Sequence, residues 1–319
     1  MAKIENLSII EISGNVFYIP GTTNVGIITE KIQNKVNIYL IDTPGTPDKG
    51  SELLNVLDDF IQDKFNLPWI LKAIIITHSH ADHVSCAAYI KEKTACEVWC
   101  TQDAQGNLAL PTYEQAIISG GWPLPELQTP FYQAEKVLHP KIIIADFSIL
   151  LCDGTKITFV DLHGHHFGMI GVLVTTITDK TVLFAADGIF DRSQLSRYWI
   201  PFMLDVGSFK VSLNKIVKLN ADFVLPSHGK LIKGEKTEAV AELNKYAVIT
   251  TEKQICKILE KPHTAENLLK AIFDENNIPG RLGQYILIGC TIRSYLSYLY
   301  RSGKIHYFFK DNLMYWEKV

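Results

Sequence analysis

Cysteine is scarce: six residues (Cys86, Cys96, Cys100, Cys152, Cys256, Cys290) are scattered over 319 positions with no CxxC pair among them. That argues against a disulfide framework and for structural thiols in a reducing compartment. No apolar run approaches the roughly 20 residues needed to span a bilayer. The opening MAKIENLSII sets a lysine and polar residues before any apolar block, which does not read as a secretory signal. Internal repeats and low-complexity segments are missing, and no GxSxG suggests a serine nucleophile. These absences leave a soluble, cytoplasmic protein without a membrane partner as the expectation. Hydrophobic residues at 47% supply ample material for a core.

The length favours one large domain plus a smaller one. Charge marks where they divide. Residues 1–244 carry 20 Lys+Arg against 27 Asp+Glu, whereas residues 245–319 carry 11 against 7. A change of sign along the chain supports a boundary near 240, with domains at 1–240 and 241–319.

Upstream of that boundary, short apolar strands alternate with turns and helices. VNIYLID (36–42) runs into TPGTPDKG, a turn by its Pro and Gly content, and ELLNVLDDFIQDKF (52–65) has helical spacing. AIIIT (73–77) reads as a buried strand, VSCAAYIKEK (84–93) as a helix and EVWCT (97–101) as a strand. Residues 103–140 mix helix-compatible pieces with Pro and Gly and read as an insertion. KIIIADF, TKITFVDL, GMIGVLVTTI, TVLFAAD and DFVLP then read as strands. This alternation predicts a layered α/β domain. Beyond 245, TTEKQICKILEK and TAENLLKAIFDE predict amphipathic helices, the second capped by Thr264. A long helix from Gly283 to Tyr300 and a hairpin, IHYFF–KDN–LMYW, complete a winged-helix pattern.

Seven of the ten histidines fall in loops at strand ends. HSHADH (78–83) follows a buried strand and opens a helix; His78 and His80, two apart, point the same way when extended. Asp82 and His83 stand at the helix entrance. Later strand ends carry HGHHFG (163–168), AADG (185–188) and PSHG (226–229). Imidazoles and carboxylates gathered on rigid elements form a ligand set suited to zinc and its first-row neighbours. His139, His263 and His306 have no motif around them.

HSHADH resembles the HxHxDH signature of the metallo-β-lactamase superfamily, and the other motifs follow in that family's order. LID (40–42) is similar to its first motif, GHHFG to its third-histidine loop, AAD to its glycine–aspartate motif and PSHG to its last. The resemblance covers roughly residues 10–235. It implies an αββα sandwich followed by the C-terminal winged-helix domain, as in the lactamase-B2-like subgroup. It further implies two divalent metal ions, zinc first and manganese or iron as alternatives. His78, His80 and His165 would hold one ion, and Asp82, His83 and His228 the other, with Asp187 bridging. Asp42 would be a structural neighbour of the site, and His163 and His166 pocket residues. Ala186 and Ser227 stand where the family has glycine; both are small enough to keep the geometry.

Such a pair implies a hydrolase that works through a metal-bridging hydroxide, with Asp82 passing on a proton. A small ester, lactone or thioester is the expected substrate. The insertion's Trp122, Phe131 and Tyr132, with Phe190, Tyr198 and Trp199, would either roof an apolar pocket or stand as ordinary core or rim residues. Phe190 replaces the tyrosine that lactonases of this family often carry, which counts against a close acyl-homoserine-lactonase assignment. The alternative is a metal-dependent phosphodiesterase or endoribonuclease whose winged helix grips RNA. The long helix offers only Arg293 and Arg301 among aliphatics and tyrosines, which suits packing on the first domain or a homodimer contact better. The same poverty of basic residues disfavours a DNA-binding sensor. A glutamate missing at His80 disfavours a flavin-linked diiron enzyme.

Overall fold

A computed structural model describes residues 8–45, 49–197 and 199–319. The opening MAKIENL, residues 46–48 of the TPGTPDKG turn and Tyr198 lie outside the described residues.

Strands β1 (Ile10–Ser13), β2 (Val16–Ile19), β3 (Val25–Ile32) and β4 (Lys35–Ile41) are antiparallel neighbours. After helix α1 (Lys49–Phe65), strands β5 (Trp69–Ile75), β6 (Glu97–Cys100) and β7 (Lys141–Ile142) join in parallel, making a seven-stranded sheet. Helices α2 (Ala81–Val84) and α3 (Ala87–Thr94) link β5 to β6; α4 (Gln102–Ala109) and α5 (Thr112–Ser119) form the insertion. The second sheet has β8 (Ser148–Leu150), β9 (Lys156–Asp161), β10 (Ile170–Thr175), β11 (Thr181–Ala186), β12 (Phe223–Pro226) and β13 (Ile232–Lys233). Its one parallel pair, β11 with β12, is bridged by α6 (Arg192–Arg197) and α7 (Val206–Leu219), as a parallel crossover requires.

Successive strand residues face opposite ways, and here both faces are apolar. In β4, Val36, Ile38 and Leu40 pack outward under α1, while Tyr39 and Ile41 turn inward. In β11, Val182 and Phe184 turn inward to meet them, and Leu183 and Ala185 face the outer helices. The layers are therefore helix, sheet, sheet, helix: the αββα arrangement.

The expected strand over 141–147 pairs only at Lys141–Ile142. Asp146 takes a left-handed φ of 60° and turns the chain from the first sheet into the second. The expected helix over 84–93 is broken into α2 and α3 around Ser85 and Cys86.

The tail begins with α8 (Gly234–Ile258), so the helix expected from 250 is the second half of a longer one. Its buried residues Thr237, Ala241, Asn244, Val248, Thr251 and Ile255 recur at steps of three and four. One continuous seam therefore packs straight through residue 240. α9 (Ala265–Glu275) opens with the Thr264 side chain accepting from Asn267 N, and α10 (Leu282–Arg301) follows. The hairpin β14 (Ile305–Lys310) and β15 (Leu313–Lys318) turns on Asp311 and Asn312, both at positive φ, the conformation a two-residue turn demands. α8, α9 and α10 share one hydrophobic core with the outer face of the second sheet and α7. No helix among the described residues is long and apolar enough to cross a membrane.

Candidate metal centre

The site lies where β4, β5, β11 and β12 end and the loop before α7 crosses them. Asp42, at the end of β4, takes a left-handed φ of 59°. Its buried carboxylate accepts from Thr77 N and Thr77 Oγ1, both at 2.8 Å, and meets His83 Nδ1 at 2.8 Å. A carboxylate so held fixes the start of the HSHADH loop and the tautomer of His83 together.

Three histidine nitrogens converge beside it. His80 Nδ1 lies 2.9 Å from both His78 Nε2 and His165 Nε2, and Asp187 Oδ2 is 3.2 Å from His165 Nε2. These four residues form one candidate ligand group. Gly164 brings His165 there: at φ 136° its backbone runs against Phe209, where any side chain would collide. His165 Nδ1 then donates to Phe202 O at 2.7 Å, leaving Nε2 to face the group.

Asp82, His83 and His228 form a second group. His228 Nε2 is 3.3 Å from Asp82 Oδ2 and 3.5 Å from Asp187 Oδ2; His83 Nε2 is 3.8 Å from Asp187 Oδ1. Asp187 thus reaches both groups. Buried polar atoms need partners, yet His83 Nε2 and Asp187 Oδ1 are buried without a hydrogen bond. A cation between the groups would satisfy both atoms. The imidazole and carboxylate donors fit zinc, and manganese or iron as well. Ala186, just before Asp187, sits at φ 50° where the family's glycine would be relaxed.

The two groups differ electrostatically. Burial, reinforced by neighbouring histidines, holds His78 and His80 well below the usual histidine range. Burial also lowers His165, outweighing the pull of Asp187. At His83 burial is overcome by Asp82 and Asp42, and the ring is pushed up to about 9. His228 is likewise raised against burial by Asp187 and Asp82. At pH 7 the histidines of the first group are therefore neutral, whereas His83 and His228 each hold a proton that a metal must displace. Filling the second group is expected to release about two protons more than filling the first. Its affinity should climb as pH rises towards 9. Calorimetric titration of metal-free protein in buffers of different ionisation enthalpy measures this; equal proton release for both ions would contradict it.

Other expected residues are placed differently. His163 is half exposed and bound to Asp161, whereas His166 is buried with Nε2 3.3 Å from Ser79 Oγ. Trp122 and Phe131 are 78% and 73% exposed and roof no pocket; Tyr132 lies against Gly283 of α10. Phe190 is buried in the core, stacked on Phe209, and Trp199 donates to Gln254. Trp122 and Phe131 lie in the Gly- and Pro-containing stretch after α5, where their side chains face outward. Phe190 also approaches His165, at 6.2 Å, and the nearer ring at the centre is Phe202, 5.5 Å from His80 and 5.6 Å from His165. Nothing in IPFML marked it. Glu114 of α5, buried with Oε1 3.3 Å from His80 Nε2, was also missed.

Comparison with known proteins bears on the fold and the family. The family profile of the metallo-beta-lactamase superfamily matches residues 18–228. The chain is 29% identical over 164 residues to the hydroxyacylglutathione hydrolase GloC of Haemophilus influenzae, covering 50% of this chain and 69% of that one. Among solved structures, a beta-lactamase domain protein from Burkholderia ambifaria superposes with a TM-score of 0.76 at 14% identity, covering 99% of this chain and 95% of its own. A metallo-beta-lactamase family protein from Thermus thermophilus gives 0.70 at 16% identity, with both chains covered completely at 100%. The subclass B3 metallo-beta-lactamase BJP-1 of Bradyrhizobium japonicum gives 0.57 at 17% identity over 81% of this chain and 98% of its own. The chain belongs to the metallo-β-lactamase superfamily and is a metal-dependent hydrolase.

Proposed function

We propose that the protein hydrolyses a small thioester at a dinuclear centre, with lactones and simple esters as related substrates. The observation that carries this reading is the pair of converging donor groups that share Asp187. His78, His80 and His165 would hold one ion and Asp82, His83 and His228 the other. Bound there, two divalent ions supply activated water at neutral pH and an acid for the oxygen that gathers charge. The chain's own residues do the rest. Asp42 fixes His83, and Phe202 closes the side of the site over His80 and His165. Asp82 has the most open carboxylate of the set and is kept ionised by His83 and His228 against the effect of burial. It is placed to receive the proton that leaves the attacking water. The thioester preference is supported by the likeness to a hydroxyacylglutathione hydrolase.

A winged-helix role for 241–319 belongs to the same reading, supported by the order of three helices and a hairpin. RNA is the weaker substrate. Arg293 pairs with Glu266, Lys270 with Asp274, Lys304 with Glu252 and Lys318 with Glu260, so much of the tail's positive charge is already matched. A cytoplasmic location is supported by the free cysteines.

The test is a parallel assay of zinc-loaded protein on acyl-glutathione and acyl-CoA thioesters, lactones, aryl esters, bis(p-nitrophenyl) phosphate and single-stranded RNA. Thioester turnover should lead. Cleavage of RNA or the phosphodiester alone would overturn the reading and make the tail a substrate-binding module.

A further inference from the structure

Each ring in the centre has two nitrogens, and one of them faces away from the donor group. For four of the five histidines that outer nitrogen is held from a neighbouring loop, at a sheet end for three of them and before α7 for His165. His78 Nδ1 meets Thr77 Oγ1, His83 Nδ1 meets Asp42, His165 Nδ1 meets Phe202 O and His228 Nδ1 meets Thr22 O. His80 is the exception. Its Nδ1 is turned to His78 and His165, and its outer Nε2 faces Glu114 Oε1 at 3.3 Å across the gap to the insertion. We infer that Glu114 is the positioning residue of His80: a carboxylate that accepts the Nε2–H, fixes the tautomer with Nδ1 free, and strengthens that nitrogen as a ligand.

The surroundings of Glu114 are built for this. The side chain is only 7% exposed; burial pushes its carboxyl up to about 7 against the pull of Ser79, so donors are needed to keep it an acceptor. Ser79 Oγ donates to Oε2 at 3.0 Å, and Asn107 Nδ2 on α4 donates to that same Ser79 oxygen at 3.1 Å. The loop that carries His80 therefore also clamps its partner. Glu114 lies in the first turn of α5, where the helix dipole favours negative charge. His166 Nε2 approaches from the far side, 3.8 Å from Oε2 and 3.3 Å from Ser79 Oγ, with its Nδ1 tied to Phe167 O.

His80, Glu114 and His166 are also close enough together to hold an ion of their own. That arrangement would oblige His80 to give up its last ring proton while Nδ1 serves the first group. A neutral ring with one N–H satisfies both sides without that cost, which favours positioning over ligation.

The inference rests on His80 binding metal through Nδ1, and the experiment separates the two claims. Metal-free wild type, Glu114→Ala and Glu114→Gln are titrated with Zn²⁺ against a chromophoric chelator. Thermal unfolding of the metal-free proteins serves as the control for folding. Expected are two ions in the wild type and a 10–100-fold loss of affinity for one of them in Glu114→Ala. The other ion should bind unchanged, and Glu114→Gln, which keeps an acceptor, should recover part of the loss. Two ions with unaltered affinities in Glu114→Ala would overturn the inference and leave the proposed function standing. A third ion in the wild type, lost in Glu114→Ala, would overturn it by making Glu114 a ligand. No tight binding by the folded wild type would overturn both.

Discussion

Asp187→Asn is expected to lower turnover of the best substrate by about a thousandfold or more and to remove at least one bound metal, with little change in fold. Asp187 is 4% exposed. One of its oxygens lies 3.2 Å from His165 Nε2 and 3.5 Å from His228 Nε2; the other has no hydrogen bond and faces His83. Burial alone would raise its pKa, yet His228 and His165 hold it well below the ordinary carboxylate range, so it is charged throughout the working pH. Asparagine keeps the volume and removes the charge shared by the two donor groups. It also turns an amide N–H towards nitrogens that should be free to bind a cation. A thousandfold loss corresponds to about 4 kcal/mol of transition-state stabilisation. The measurements are metal content and steady-state kinetics of both proteins after identical loading. Activity within tenfold of wild type, with two ions retained, would count against the proposed bridging role of Asp187.

The second large effect concerns Tyr295, which is fully buried on α10 in the core shared with Val248 and Ile255 of α8, Leu269 of α9 and Phe209 of α7. Tyr295→Ala is expected to destabilise the chain by about 3–5 kcal/mol, the cost of emptying a large aromatic site in a packed interior. The loss should not stay in the tail. The same core includes Val160, Leu183 and Ala185 of the second sheet, so far-UV circular dichroism and release of bound metal should move together in one transition. Two separated transitions, with the metal centre outlasting the tail, would show that residues 241–319 fold as an independent module.

The candidate donor cluster was legible because a ligand-rich loop after a buried strand is a short, local pattern. His78, His80, Asp82 and His83 occupy six positions, and the remaining donors stand at strand ends whose hydrophobic character announces them. Glu114 was not legible. A single glutamate in a helix of an insertion looks like any solvated acid until tertiary packing brings it to His80. Phe202 was hidden for the same reason, since its place is set by the loop that passes His165 and not by a periodicity. The length of α8 was obscured by a change of charge and texture that falls inside a helix. Its buried seam depends on Thr237, Asn244 and Thr251, polar residues that no hydrophobic count would place on one face. Trp122 and Phe131 could be read as pocket, core or rim and are exposed, because aromatic content alone does not say which way a side chain faces.

The shared core also sets an order on the birth of the protein. β9, β10 and β11 leave the ribosome with Val160, Leu173 and Leu183 on a face that α7 covers only in part. The remaining cover comes from α8, α10 and Ile305 of β14, which ends more than a hundred residues after Leu183. At synthesis rates of roughly 5–20 residues per second, that face stays open for on the order of 6–25 seconds. The nascent chain spends that interval with its candidate donor loops already emerging and part of its rear sheet bare, an exposed apolar face of the kind that favours aggregation.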